Sequence, residues 1–304
     1  MRIAYDAYRL ILSIVLIISL LGCAHQPMSS GTLETHFCHL TDCNEVLVNL
    51  TADAASASCA FYDIDHPQLI RNLERATLIV DETTNAPHAR QREGPGLMHH
   101  KFCVINHTVL VTGSFNPVVK QPPDYNNLIV IHAEPLAARY EKYFSARQEG
   151  RRRFIHNGKT VEAYLCPHDP CRERILTLLR QANHSIEFAL FTFTDEDIAA
   201  VMQERHHAGV NVTGVIESWQ AKQYNQYGTL WATGVPVFLE SSPRLQHNKV
   251  IVIDRAIVIT GSYNPTRAAA TINDENILIL HDEAIARVYA DLVTSIIKDT
   301  QSFK

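Results

Sequence analysis

Apolar residues in this chain fall into short unbroken runs, separated by stretches with helical periodicity, and the alternation occurs twice. In the second half, Arg172 to Asn183 carries Ile175, Leu178 and Leu179 at helical spacing. The run Ile186-Glu187-Phe188-Ala189-Leu190-Phe191 then reads as a buried strand. A helix from Asp195 to His207, with Ile198, Val201 and Met202 on one face, leads into a strand from Val210 to Val215. The first half has the same order. A helix-like stretch follows Cys43, and Ser58 to Asp63 reads as a strand. Pro67 to Arg75 reads as a helix, and Thr77 to Val80 as another strand.

Each half continues with a strand (Lys101 to Ile105, Lys249 to Ile253), a tight reversal and a second strand (Val109 to Thr112, Ala256 to Thr260). A third strand follows (Leu128 to Ile131, Ile277 to Leu280), then a closing helix in which Tyr140 matches Tyr289. Strands alternating with helices predict an α/β layered fold with helices packed on a sheet. The halves run over 34–150 and 160–304. Between them Arg151-Arg152-Arg153 reads as a solvated linker, with a phosphate-binding patch as the alternative. The halves differ before the motif histidine. The first has a short loop, Asp81 to Met98, whereas the second has Glu217 to Gln246 with Trp219, Tyr224, Tyr227 and Trp231. Those aromatics either pack a helix on the sheet or cover the site and grip a substrate.

The first residues do not belong to this repeat. Arg2 and Arg9 flank a polar start, and an apolar run from Leu10 to Leu21 ends in Gly22-Cys23. The run is short for a permanent span and fits a secretory signal over residues 1–22. Its ending resembles the lipobox of bacterial lipoproteins, which implies cleavage before Cys23 and lipid on its sulfur. An uncleaved anchor is the alternative. Either way the body sits outside the cytoplasm on a membrane. Ala24 after the cysteine, by the same resemblance, places it on the periplasmic side of an outer membrane. Losing Arg2, Arg9 and Asp6 takes the formal charge from −5 to −6. An acidic body argues against a general nucleic-acid binder, though a local basic groove stays compatible with it.

Cysteine usage agrees with export. Cys38 and Cys43 form a C-x4-C, as do Cys166 and Cys171, and short disulfides are expected in an oxidising compartment. No second C-x2-C or matched His pair completes a zinc ligand set. Cys59 and Cys103 lie in apolar strands, either as buried thiols or as a third bridge if those strands adjoin.

The chemistry-bearing residues are also repeated. His99-His100-Lys101 precedes Gly113-Ser114-Phe115-Asn116, and His247-Asn248-Lys249 precedes Gly261-Ser262-Tyr263-Asn264. In both copies the glycine stands fourteen positions after the first histidine. Residues two apart on a strand share a face, so each H-x-K sends an imidazole and an ammonium into one space, while His100 and Asn248 point away. Ser114 with Asn116, and Ser262 with Asn264, are expected to bind the oxygens of a phosphate. Two facing copies give two histidines, one to attack phosphorus and one to protonate the leaving oxygen. The lysines supply the positive charge, so neither metal nor cofactor is expected.

These residues resemble the phospholipase D superfamily, with its H-x-K-x4-D, G-S-x-N and acidic N-x-E elements, over nearly the whole mature chain. The cysteine-flanked openings and small halves look most like its compact bacterial nuclease and mitochondrial cardiolipin hydrolase branch. The resemblance implies two tandem lobes, each a mixed sheet flanked by helices, packed with pseudo-twofold symmetry around one site. The second copy matches fully, through Asp254 and Glu275. The first has Asn106 for the aspartate and Asn126 for the glutamate. His247, backed by Glu275, is then the expected nucleophile and His99 its acid/base partner. The expected activity is hydrolysis of phospholipid headgroup diesters. An exported metal-independent endonuclease is the alternative, ahead of a cardiolipin synthase-like phosphatidyl transfer and a non-catalytic phosphate-binding lipoprotein. The implied partners are the phospholipid or nucleic-acid substrate and a membrane reached through Cys23. Two internal copies make a monomer sufficient.

Overall fold

The computed structural model describes residues 31–145, 150–221 and 224–302. The expected leader and Cys23 lie outside them. The first half contains β1 (Leu33–Phe37), α1 (Cys43–Thr51), β2 (Ala57–Phe61), α2 (Pro67–Asn72), β3 (Thr77–Val80) and β4 (Arg90–Gln91). It continues with β5 (Lys101–Ile105), β6 (Val109–Gly113), β7 (Asn127–His132) and α3 (Glu134–Glu141). Its seven strands form one mixed sheet of order β1-β7-β6-β5-β2-β3-β4.

The second half begins with β8 (Arg153–His156), β9 (Lys159–Cys166), α4 (Cys171–Arg180), β10 (Ser185–Leu190), α5 (Glu196–His207) and β11 (Asn211–Glu217). α6 (Tyr227–Ala232), β12 (Val237–Glu240), β13 (Lys249–Ile253), β14 (Ile257–Gly261), α7 (Arg267–Thr271), β15 (Glu275–His281) and α8 (Glu283–Ser302) complete it. Its sheet has the order β12-β11-β10-β13-β14-β15-β9-β8. The run β7-β6-β5-β2-β3 thus reappears as β15-β14-β13-β10-β11, as the repeated pattern predicts.

Strand alternation sorts the core into layers. On β5, Phe102 and Val104 join a central cluster, while Cys103 and Ile105 join an outer one with Leu47 of α1 and Leu69 of α2. On β13, Val250 and Val252 face the centre, and Ile251 and Ile253 pack outward with α4, α5 and α6. The central cluster holds α3 and α8 between the two sheets through Leu136, Tyr140, Tyr289 and Val293. Because both faces of each inner strand are covered, the strands read as continuous apolar runs rather than alternating ones. Aspartates start two of the outer helices. Asp42 accepts the amides of Asn44 and Glu45 at α1, and Asp195 those of Asp197 and Ile198 at α5.

Disulfides join Cys38 to Cys43 and Cys166 to Cys171, as the spacing predicts. Cys59 and Cys103 are bridged as well, because β2 and β5 pair antiparallel with these two residues opposite each other. The arginine run is not a free linker. Arg152 pairs with Asp169, whose buried carboxylate is also held by Arg139 of α3.

Two asparagines lock the lobes together. Asn276 of β15 donates to the Thr112 hydroxyl of β6 at 2.9 Å and to the Tyr140 hydroxyl of α3 at 3.2 Å. Asn127 of β7 mirrors it, accepting from Thr260 of β14 at 3.0 Å and from Tyr289 of α8 at 3.2 Å. Asn127 also donates to Asn248 at 2.9 Å. The pairing of Tyr140 with Tyr289 seen in the sequence is this exchange. Replacing Asn127 by Leu leaves the Tyr289 and Thr260 hydroxyls and the Asn248 carbonyl buried without partners. Asn127→Leu is therefore expected to lower unfolding free energy by roughly 3 kcal/mol in denaturant titration, since each unpaired buried group costs about 1–3 kcal/mol.

Candidate active site

The lobes meet where the segments leading into β5 and β13 run beside those leading into β15 and β7. The His99 amide donates to the Asp274 carbonyl at 2.9 Å, and the Asp274 amide to that of Leu97 at 2.8 Å. The His247 amide donates to the Tyr125 carbonyl at 3.0 Å, and the Tyr125 amide to that of Leu245 at 2.9 Å. Each histidine therefore lies beside the other lobe's acid position rather than its own. His99 Nδ1 is 2.8 Å from Glu275 Oε2, and His247 Nδ1 is 3.0 Å from Asn126 Oδ1. The expected backing of His247 by Glu275 is thereby corrected: the carboxylate serves His99, because the strand junction exchanges partners between the lobes.

Each H-x-K folds as the strand argument requires. Lys101 Nζ donates to the His99 carbonyl at 2.7 Å, and Lys249 Nζ to that of His247 at 2.6 Å. The first ammonium lies 5.1 Å from the Tyr62 ring centroid and the second 4.9 Å from that of Phe191. The same rings meet the histidines edge-on, Tyr62 at 5.1 Å from His99 and Phe191 at 4.7 Å from His247. Tyr62 and Phe191 were not singled out in the sequence, although each occupies the matching position after its strand. His100 points away, as expected. It is fully buried against Tyr143 and bonds Asn276, so its loss acts on the lobe junction.

The serines do a different job from the one expected. Ser114 Oγ donates to Asn126 Oδ1 at 2.9 Å and accepts the Asn127 amide, and Ser262 Oγ donates to Glu275 Oε2 at 2.6 Å and accepts the Asn276 amide. Both are fully buried. A hydroxyl has one proton to give, so these serines orient the groups behind the histidines and have no donor left for a phosphate. Asn264 Oδ1 accepts the Thr192 amide at 3.3 Å, while Asn116 Oδ1 has no partner among the described residues. The glycines before the serines are needed. Gly113 and Gly261 have φ of 149° and 137°, and a Cβ would lie 2.2 Å from the Asn127 carbonyl oxygen and 2.3 Å from that of Asn276.

Asp254 is not at the site. It follows the last residue of β13, while Lys249 is the first. Five residues of strand are about 16 Å. With φ of 53° it opens the β13–β14 reversal, where Asp and Asn are favoured. Its carboxylate accepts the amides of Asn183 at 2.9 Å, His184 at 2.7 Å and Ser185 at 2.9 Å. Burial raises its pKa, but these three bonds outweigh burial and hold it below the usual range. Asn106 does the same for the first lobe, accepting the Ser56 amide at 3.1 Å. The amide there is a turn substitution that leaves the catalytic groups untouched.

Burial dominates the electrostatics. It pushes the pKa values of His99 and His247 well below the ordinary histidine range, and Lys101 and Lys249 push them further. The charge of His99 also reaches His247, and that of Lys101 reaches Lys249. The four basic groups therefore share one chamber. Burial draws Lys101 down to about 7 and raises Glu275 to about 7. Such a chamber is completed by an anion, which offsets the crowding of its cations.

Of the longer second-half segment, Trp219, Tyr224 and Trp231 are exposed, while Tyr227 packs against the outer core. Trp219 lies 6.4 Å from Phe191, the ring that touches His247.

Residues 41–148 and 175–297 match the family described as "Cardiolipin synthase, PLD-like domain", and the chain belongs to this phospholipase D-like family. The mitochondrial cardiolipin hydrolase of Xenopus tropicalis is 37% identical over 125 residues, 40% of this chain. That match spans 60% of the frog protein, less than two thirds of its length. The phospholipase D of Rickettsia conorii is 30% identical over 171 residues, 56% of this chain and 82% of that protein. Among solved structures, phosphatidylserine synthase of Haemophilus influenzae superposes with a TM-score of 0.66 over 89% of this chain and 88% of its own, at 11% identity, a likeness of fold.

Two outcomes follow from the geometry. Asp254→Ala is expected to cost about 1–3 kcal/mol of stability by losing its backbone bonds, while kcat at saturating substrate and a permissive temperature stays near that of the parent. A collapse of kcat in folded protein would return Asp254 to the catalytic set. Lys101, charged only below about 7, links anion binding to pH. Sulfate keeps its charge across this range, so its affinity measured by calorimetry should fall above pH 7, approaching tenfold per unit. Lys101→Gln should bind sulfate weakly and flatten that slope.

Proposed function

We propose that this chain is an exported, membrane-anchored phosphodiesterase that hydrolyses phospholipid headgroup diesters through a phospho-histidine on His99. The observation that carries the reading is the unequal backing of the two imidazoles, a carboxylate for His99 and an amide for His247. When His99 Nε2 attacks phosphorus, the P–O bond to the headgroup breaks and the imidazole becomes a cation for the life of the intermediate. Glu275, accepting from Nδ1, stabilises that cation. Asn126 holds Nδ1–H of His247 without fixing a charge, so Nε2 is free to give a proton and take one back. His247 gives its Nε2 proton to the departing alcohol oxygen, assisted by the bound phosphate anion, which favours the imidazolium. It then takes a proton from water, whose oxygen attacks phosphorus and breaks the P–N bond. Phosphatidic acid leaves, and both imidazoles return to their starting states.

Two features favour lipid over polymer. Exposed apolar side chains gather at the site end of the molecule. Leu40 and Val119 rim the cavity beside His247, and Leu97 and Ile272 flank the Met98–Asp274 junction. Such a rim suits contact with a bilayer surface. The curated relatives also carry the names phospholipase D and mitochondrial cardiolipin hydrolase.

Anchoring through Cys23 fits the reach of the chain. β1 starts beside the far end of β7, with Leu33 opposite Ile131, and ends beside the site, with Phe37 opposite Asn127. Gly31 is therefore about 20 Å from the site along the strand. The eight residues from Cys23 to Gly31 span up to about 28 Å, enough for the site end to turn toward the same membrane. One chain supplies both halves of the site, so a monomer is sufficient for the chemistry.

The test uses the full chain in vesicles of phosphatidylglycerol, phosphatidylethanolamine and cardiolipin, with single-stranded DNA as competitor and a chelator present. Headgroup release is expected. DNA cleavage without headgroup release would move the assignment to the nuclease reading. His99→Ala and His247→Ala should each lose about 10³-fold in turnover. With a nitrophenyl leaving group, which needs no acid, His247→Ala should still accumulate phospho-enzyme. Phosphate mapped to His247 rather than His99 overturns the division of roles.

A further inference from the structure

Asp81 and Glu217 are buried carboxylates at equivalent places in the two lobes. Phe61 of β2 pairs with Lys101 on one side and Val80 on the other, and Leu190 of β10 pairs likewise with Lys249 and Ile216. Asp81 is the residue after Val80, as Glu217 is the residue after Ile216. Asp81 Oδ2 accepts the Met98 amide at 2.9 Å, and Glu217 Oε2 accepts the Gln246 amide at 2.8 Å. Met98 and Gln246 immediately precede His99 and His247, and both are fully buried.

These bonds complete a run of three held amides before each imidazole. Leu97 donates to Asn273 Oδ1 at 3.1 Å, Met98 to Asp81, and His99 to the Asp274 carbonyl. Leu245 donates to Asp124 Oδ1 at 3.1 Å, Gln246 to Glu217, and His247 to the Tyr125 carbonyl. The outer two acceptors of each run come from the other lobe, and the middle one from the histidine's own lobe. The backbone is therefore pinned from both sides of the junction. A buried amide needs an acceptor, and a bond to a carboxylate is roughly twice as strong as one between neutral groups. The second oxygen of each carboxylate is spent on its own turn. Asp81 Oδ1 accepts the Thr83 amide at 3.1 Å and hydroxyl at 2.8 Å, and Glu217 Oε1 accepts the Trp219 amide at 2.9 Å. Buried and engaged through both oxygens, neither carboxylate is placed to carry a proton for the reaction.

The bonded pairs are also the ends of the two segments that differ most between the halves. Asp81 and Met98 are 17 residues apart, whereas Glu217 and Gln246 are 29 apart, yet the same bond closes both. Resting on the division of roles between His99 and His247, we propose that Asp81 and Glu217 are positioning residues, each clamping the amide before its histidine so that the imidazole keeps its place at phosphorus whatever the length of the segment it closes. Displacing a reacting group by about 1 Å can cost about 10²-fold in rate. Asp81 therefore governs the attack by His99, and Glu217 the proton transfers of His247. The negative charge of Asp81 also works against the burial that disfavours the cations of His99 and Lys101. An uncharged acceptor would replace the clamp but not that charge.

The experiment follows formation and decay of the phospho-enzyme by rapid quench, with the full chain and a diester carrying a nitrophenyl leaving group. Asp81→Ala should slow formation by up to about 10²-fold. Glu217→Ala should leave formation near the parent rate, because this leaving group needs no acid, and slow decay. Asp81→Asn and Glu217→Gln keep an acceptor oxygen and should recover most of each loss. Glu217→Asp keeps the charge but falls short by one carbon–carbon bond, about 1.5 Å, and should be as slow as the alanine variant. That comparison decides the matter even where an alanine variant does not fold. Equal losses in both steps for both variants, or a Glu217→Asp faster than Glu217→Gln, overturns the proposal.

Amide hydrogen exchange separates the clamps from the catalytic reading, since it needs no turnover. Asp81→Ala should lose protection in peptides containing residues 97–99 and keep it in those containing 245–247, and Glu217→Ala should do the reverse. Selective loss without any phospho-enzyme in the parent upholds the clamps and refutes the hydrolase. Selective loss with formation slowed by Glu217→Ala and decay by Asp81→Ala upholds the clamps and reverses the roles of the histidines. Unchanged exchange at both segments, or a loss spread over the whole chain, refutes the clamps even if phosphate maps to His99.

Discussion

The site depends on an exchange of backbone partners at the junction of the lobes. The segment entering β5 runs beside the one entering β15, and the segment entering β13 runs beside the one entering β7. These short parallel contacts bring Glu275 to His99 and Asn126 to His247 across a sequence separation of well over one hundred residues. Neither lobe alone contains a backed histidine. The buried serines lock the geometry further, since each spends its proton on the group behind a histidine. The pseudo-twofold arrangement is therefore a condition of the chemistry as well as a record of the repeat.

A second constraint is the burial of so much positive charge. His99, Lys101 and Lys249 are buried and His247 is partly buried, and desolvation opposes the charged form of each. The layered core bears this cost. The central cluster joins both sheets through α3 and α8, and the Asn127 and Asn276 networks pin those helices to the opposite sheets. A phosphate diester brings the missing countercharge, so binding and the protonation of the site are coupled. The asymmetry of backing then separates two imidazoles that the repeat would otherwise make equal.

Much of this was legible from the order of residues. Period-two and period-3.6 patterns place β2, β3, β5–β7, β10, β11, β13–β15, α1–α5 and α8 close to their observed positions, because each depends on near neighbours and on a hydrophobic face, whereas β1, β4, β8, β9, β12, α6 and α7 are not read from the pattern. The C-x4-C pairs bridge because five residues confine their ends. The spacing of H-x-K sends imidazole and ammonium into one space through strand geometry alone. Asp254 was misplaced although the signal was present: it stands one strand length from Lys249, beside a reversal that demands a positive φ, and those two facts already put it at the far end.

The order of residues by itself determined the repeat, most of its inner strands and packing helices, and the identity of the paired histidines and lysines, since all of these are set by local periodicity and spacing. The tertiary structure alone decided which histidine meets the carboxylate of Glu275 and which the amide of Asn126, that Cys59 meets Cys103, and that Ser114 and Ser262 face inward. Those outcomes depend on how two preformed sheets dock through buried side chains. A periodic pattern states which face is apolar, but not which partner that face will meet.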